Sequence, residues 1–151
     1  MPTRSVKKLK TKTRKNRGSK IKSMSFEKDM ILTFLCMLNT VKLYHWKTRS
    51  YATHKATDKL YSHLNDSIDK FVEIMLGKYG DRVNLTNVKS IPLCDFTSEE
   101  EFKEEIMRYK KFLVDLDNNP VMKQMSNSDL YNIRDEMLGQ LNQLLYLLSF
   151  K

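Results

Sequence analysis

The sequence predicts an all-α fold, a four-helix bundle behind a disordered basic N-terminal tail, and three observations predict it. Turn residues are scarce: 4 Gly and 3 Pro among 151 residues, below average usage, whereas a sandwich or barrel needs turn signals roughly every 8 to 12 residues. Four stretches carry apolar residues at three- and four-residue steps, the period of a helix face. Start and stop residues bracket those stretches. The length suits one domain, with a tail at 1–24 and a helical body at 25–151.

Ser25 and Asp29 resemble a helix start, and Met30, Phe34, Leu38, Val41 and His45 continue one face, so the first helix is expected over about 26–47. The segment RSYATHK reads as a short connection. A second helix is expected from near His54 or Lys55, with Leu60, Leu64, Ile68, Phe71, Val72 and Met75 as its core stripe and Gly77 and Gly80 as its stop. The run DRVNLTNVKSIPLCDF, with Pro92, is the longest connection and has room for a helical turn. Thr97, Ser98 and Glu99 to Glu101 suit the N-terminus of a third helix, with a capping box and a favourable dipole. It fades at DNNP. The last helix is expected from Ser126 to Asp129 onward, with Leu130, Ile133, Met137, Leu141, Leu144, Leu145 and Leu148 facing inward. Gly139 within it costs roughly 1 kcal/mol relative to Ala, which predicts close packing there.

The net charge of +9 divides unevenly. Residues 1–24 hold ten basic side chains (Arg4, Lys7, Lys8, Lys10, Lys12, Arg14, Lys15, Arg17, Lys20 and Lys22) and no acid, which leaves the body with seventeen basic and eighteen acidic residues. A segment with that composition has little to bury and is expected to be unstructured. Its natural partners are polyanions, DNA or RNA, bound without sequence preference through counterion release; a nuclear localisation signal has the same composition. Two cysteines, Cys36 and Cys94, are too few for a disulfide framework and read as reduced and buried. No apolar run reaches the ~20 residues of a membrane span, and no hydrophobic leader is present. The expected setting is intracellular, in cytoplasm or nucleoid, or in a nucleus or virion if the source is eukaryotic or viral, with no membrane partner.

Residues suited to chemistry gather in HWKTRSYATHKATDKLYSHLNDSIDKFVE, which holds all three histidines. At about 100° per residue, Asp58, Asp69 and Glu73 fall within roughly 60° of one another, off the apolar stripe, while His63 falls on neither. A dinuclear centre inside one bundle needs inward carboxylates and Glu-x-x-His pairs, and the sequence has no Glu-x-x-His. Outward acids suit a site between two subunits, where Ser62 and Asn65 permit close approach. Imidazole and carboxylate are apt ligands for ferrous iron, zinc or manganese. The plainer alternative is a solvated face whose acids pair with Lys55, Lys59 and Lys70.

Three motifs stand in order: His45-Trp46 at the end of the first helix, His54-x3-Asp58, and Asp69-x3-Glu73, with eleven residues from Asp58 to Asp69. They resemble the signature of the Dps family, the ferritin-like DNA-protecting proteins of starved cells, and the chain is also similar to small Dps-like proteins of large DNA viruses and phages. The connection between the two histidines is shorter than in typical members, and Lys47-Thr48 replace the usual Asn-Val. The resemblance implies a ferritin-like bundle that pairs about two-folds into a homo-oligomer, up to a dodecameric cage. It implies metal ligands from His45, His54 and Asp58 of one chain and Asp69 and Glu73 of its neighbour, with Trp46 near the iron and no catalytic residue apart from the ligands. The implied activity is ferroxidase: oxidation and storage of iron, with DNA protected or compacted through the tail. The alternative is a non-enzymatic DNA-compacting protein, carried in a virion if the source is viral, that keeps the fold.

Overall fold

The computed structural model describes residues 9–124 and 126–150, with side chains from residue 26 onward. Among the described residues all regular structure is helical: α1 (Leu9–Lys47), α2 (Tyr51–Tyr79), α3 (Glu99–Asp115), a 3-10 turn (Leu116–Asn118), α4 (Pro120–Lys123) and α5 (Ser128–Leu147). The backbone of α1 starts at Leu9, well before the expected start near 26 and within the segment read as unstructured. Residues 9–24 lack proline and are rich in Lys and Arg, whose helix propensity is good, so nothing in their covalent chemistry ends the helix. Residues 1–8 of the expected tail lie outside the described residues.

Two boundaries differ from expectation for local reasons. Helix α2 starts at Tyr51 because Ser50 caps it, its hydroxyl accepting from Thr53 N–H at 3.2 Å. It runs through Gly77 and stops at Gly80, whose φ of 70° needs a residue without a Cβ. The 3-10 turn and α4 were not expected; Asn119 caps α4 by accepting from Val121 and Met122 N–H, with Pro120 at the first helical position. Ser98 and Glu101 form the expected capping box of α3. The connection 81–98 holds a turn but no helix.

Four long helices share one core. Phe34 of α1 is fully buried, edge-on to Phe71 of α2 at 5.3 Å and to Phe112 of α3 at 6.4 Å. Met37, Leu64, Met75, Phe102, Ile106, Leu113, Leu130, Met137 and Leu141 are also fully enclosed, each worth roughly 1.5–3 kcal/mol on burial. Gly139, expected at a close approach, is exposed, and an added Cβ would meet nothing within 4 Å; it lies on the face of α5 opposite Leu130, Met137 and Leu141.

Side-chain pairings give the helix directions. Tyr44, late in α1, stacks on Phe102, early in α3, at 4.1 Å, whereas the earlier Phe34 meets the later Phe112, so α1 and α3 are antiparallel. The connection 48–50 turns α1 straight back into an antiparallel α2. Lys78 at the end of α2 pairs with Asp129 at the start of α5 at 2.9 Å, and Gln140 reaches Ser67 at 3.4 Å, so these two are antiparallel as well. Helices α2 and α3 therefore run in the same direction, and 81–98 crosses the length of the molecule to join them. Arg134 of α5 ties that helix to the end of α3, donating to Leu113 O at 3.1 Å and to Asp117 at 2.8 Å.

Candidate metal centre

The end of α1 and the start of α2 meet through their histidines. An α-helix leaves its last carbonyls without intrahelical donors. At the end of α1, Tyr44 O accepts from Thr48 N–H at 2.9 Å, and His45 O accepts from the His54 ring Nδ1 at 3.1 Å. The His45 ring returns the bond, its Nδ1 lying 3.0 Å from His54 O. A carbonyl only accepts, so both Nδ1 atoms carry hydrogen and both Nε2 atoms keep their lone pair when the rings are neutral. The rings stack at 3.9 Å between centroids and 22° between planes.

A layer of threonine backs this pair. Thr57, fully buried, donates its hydroxyl hydrogen to Thr53 O at 2.8 Å and presents its oxygen to His45 Nδ1 at 3.3 Å. Thr53 reaches Glu99 at 3.4 Å across to the start of α3. These threonines escaped the sequence reading because a buried β-branched residue at helical spacing looks like ordinary core; the signal was their i, i+4 spacing beside His54.

His45 is only 7% exposed, and its Nε2 lies 3.9 Å from Asp58 Oδ1. That is too long for a hydrogen bond and a few tenths of an ångström beyond the roughly 3.4 Å between tetrahedral ligands held about 2.1 Å from one ion. His54 is half-buried and Asp58 exposed. The ring tautomers are set by main-chain acceptors, as in metal-binding histidines, but His45, His54 and Asp58 are not drawn together into a three-ligand group within one chain.

Asp69 and Glu73 are exposed on the same face of α2 as Asp58, with the exposed Ser62 and Asn65 between them and the buried Leu60, Leu64, Ile68 and Phe71 opposite. At 1.5 Å per residue they lie about 16 and 22 Å beyond Asp58 along the axis. One chain therefore does not bring the five residues together, and among the described residues no group of three or more His, Cys, Asp or Glu could hold a metal ion. The acids are solvated, as the plainer alternative has it, but its pairing with Lys55, Lys59 or Lys70 is not formed at Asp69 or Glu73 among the described residues. Like charges at i, i+4 cost a helix a few tenths of a kcal/mol, so these acids stand at a small energetic loss.

Trp46 is not core: it is 69% exposed, with Lys42 Nζ 5.8 Å from its ring. The turn that sends His45 inward sends its neighbour out. His63, which falls on neither stripe of the wheel, is exposed on α2. Cys36 and Cys94, expected to be buried, are free and only half-buried. Of the basic residues assigned to nucleic acid, Arg4, Lys7 and Lys8 lie outside the described residues, and so do the side chains of Lys10, Lys12, Arg14, Lys15, Arg17, Lys20 and Lys22. No helix among the described residues is long and apolar enough to cross a membrane.

The family model described as "Family of unknown function (DUF5856)" matches residues 45–148, from His45 through α5 and without the basic segment. An uncharacterized 14.6 kDa protein from the mobD-ri intergenic region of Enterobacteria phage T4 is 32% identical over 107 residues, 71% of this chain and 75% of its own length. No solved structure matches the chain.

Proposed function

The chain belongs to the family of unknown function DUF5856, and from its own residues we propose that it is a Dps-like miniferritin. Ferrous iron is its substrate, taken up between two-fold-related chains by His45, His54 and Asp58 of one and Asp69 and Glu73 of the other. The observation that carries this reading is the reciprocal bonding of the two histidines, which leaves the Nε2 lone pair of each ring free, that of His45 lying 3.9 Å from Asp58. The unpaired acids further along α2 supply the complementary half. A two-fold axis across α2 would bring one chain's acids to the other's histidines.

The helix directions support the same reading. Two parallel helices joined by one long crossover are the arrangement of ferritin-like bundles, and α2, 81–98 and α3 follow it. Imidazole and carboxylate oxygen suit ferrous iron, and zinc or manganese as competitors. Carboxylates stabilise the ferric product, whose higher charge they neutralise. With peroxide as oxidant, two ferrous ions each give up one electron and the O–O bond breaks, yielding two waters once two protons are taken up; dioxygen acts more slowly. The basic arm holds the particle on DNA while the nearly neutral body gathers cations.

The test compares ferrous oxidation by peroxide in the native protein and in an Asp69→Ala/Glu73→Ala variant. The native protein should oxidise iron several-fold faster; equal rates would contradict the site. A second reading, a DNA-compacting protein without iron turnover, is favoured by one observation: among the described residues a single chain offers no three-ligand group. DNA binding with no iron oxidation in the native protein would select it.

A further inference from the structure

The crossover 81–98 carries a second feature, on the opposite side of α1 from α2. Cys36, on α1, directs its sulfur at Pro92 O of the crossover, 3.8 Å away. Cys94 lies two residues beyond Pro92, so at most about 7 Å of main chain separates it from that contact. Both thiols are free and half-buried, close enough that Cys94 acts electrostatically on Cys36. The stretch is fastened by the Lys47–Asp95 pair, by Phe96 packing against the core, and by local bonds such as Val88 N–H to Leu85 O.

We propose that Cys36 and Cys94 are a peroxide-responsive thiol pair that closes a disulfide between α1 and the crossover. The two thiols divide the work. Cys36 keeps its proton, which it donates to Pro92 O, and burial together with Cys94 and Glu105 pushes its thiol up from the ordinary value. With Cys36 held in that bond, the attack on peroxide falls to Cys94. It attacks one peroxide oxygen, the O–O bond breaks, and a sulfenic acid forms with loss of water. Cys36 sulfur then displaces the second water, losing its own proton and forming the S–S bond. In sum two thiols and one hydrogen peroxide give one disulfide and two waters. The bridge straps the crossover to α1, beside the Lys47–Asp95 pair and a few turns from His45. This pair stands independently of the iron reading.

The experiment treats the native full-length protein with hydrogen peroxide, blocks remaining thiols with iodoacetamide under denaturing conditions and maps the peptides. Alkylatable thiol should fall at least tenfold, a Cys36–Cys94 linked peptide should appear within one chain, and dithiothreitol should reverse both changes. In Cys36→Ser, Cys94 should take up dimedone after peroxide, and in Cys94→Ser the remaining Cys36 should take up little. The proposal is overturned if both native thiols stay alkylatable, if the link joins separate chains, or if each sulfur is oxidised to a sulfinate without bridging.

Discussion

His45 and His54 hold each other through a reciprocal pair of hydrogen bonds, each ring Nδ1–H donating to the other residue's main-chain carbonyl at 3.0 and 3.1 Å. The pair joins two helix ends and sets two tautomers at once. An asparagine amide can reproduce an Nδ1–H donor but has nothing at the Nε2 position. His45→Asn and His54→Asn should therefore keep stability to within about 1 kcal/mol and lose at least tenfold in affinity for ferrous or cobaltous ion. Alanine at either position should lose affinity and stability together. Denaturant unfolding and anaerobic metal titration of the four variants separate the two roles.

Tyr109 gives the fold an alkaline limit. Thr40 donates its one hydroxyl hydrogen to Cys36 O at 2.8 Å, so the buried Tyr109 O–H donates to Thr40, also at 2.8 Å. Burial holds this phenol well above its ordinary value, and Glu105 and the two cysteines add to the shift. A raised folded value means that the stabilisation is complete below the unfolded value of about 10 and is lost as pH rises above it, because the unfolded chain then binds fewer protons. Tyr109→Phe should cost about 1 kcal/mol at neutral pH and flatten the fall in stability above pH ~10. Unfolding midpoints across that range are the check. Tyr44, also raised through burial and Glu99, should leave a smaller slope in the variant.

Arg134 is a charged group committed to the fold. Its side chain is 8% exposed and bonds Leu113 O, Asp117 and Asp135 while lying over the Tyr131 ring at 4.7 Å. The two carboxylates are more than half exposed and would be rehydrated if the guanidinium were removed; the carbonyl at the end of α3 would lose a donor. Arg134→Met should cost about 1–3 kcal/mol. Arg134→Lys should recover only part of that, because an ammonium cannot make the forked contacts.

Much of this was legible in the chain because local chemistry and burial agreed. Ser98 and Glu101 announce α3, and the stripe from Leu60 to Met75 is buried as its period requires. Periodicity also assigned Asp58, Asp69 and Glu73 to one outer face. It failed where one hydroxyl decides the outcome: Ser50 starts α2 earlier than the apolar pattern does. Nor does hydrophobicity say which neighbour of His45 turns outward, which here is Trp46. The exchange of bonds between His45 and His54 depends on how two helix ends meet, which no spacing along the sequence encodes.

If the chain binds DNA as proposed, the charge division should make that binding strongly dependent on salt. Ten basic residues precede residue 25; if all reach phosphate, log K should fall with log salt at a slope near −9 on duplex DNA. A chain lacking residues 1–24 should show a slope near zero and no binding at moderate salt. Gel-shift titrations over a range of salt concentrations measure both.

The central claim is that each site takes its two halves from different chains, and mixing two disabled variants tests it most directly. One variant lacks His45, His54 and Asp58 side chains and the other lacks those of Asp69 and Glu73; neither should oxidise ferrous iron alone. Dissociated and reassembled together in equal amounts, half of the two-fold pairs contain one of each, and each such pair has one intact site. The mixture should regain about a quarter of the native peroxide-driven rate, as an isologous interface requires. No regain in a mixture whose mixed pairs are verified by mass would contradict a shared site, and so would full activity of either variant alone.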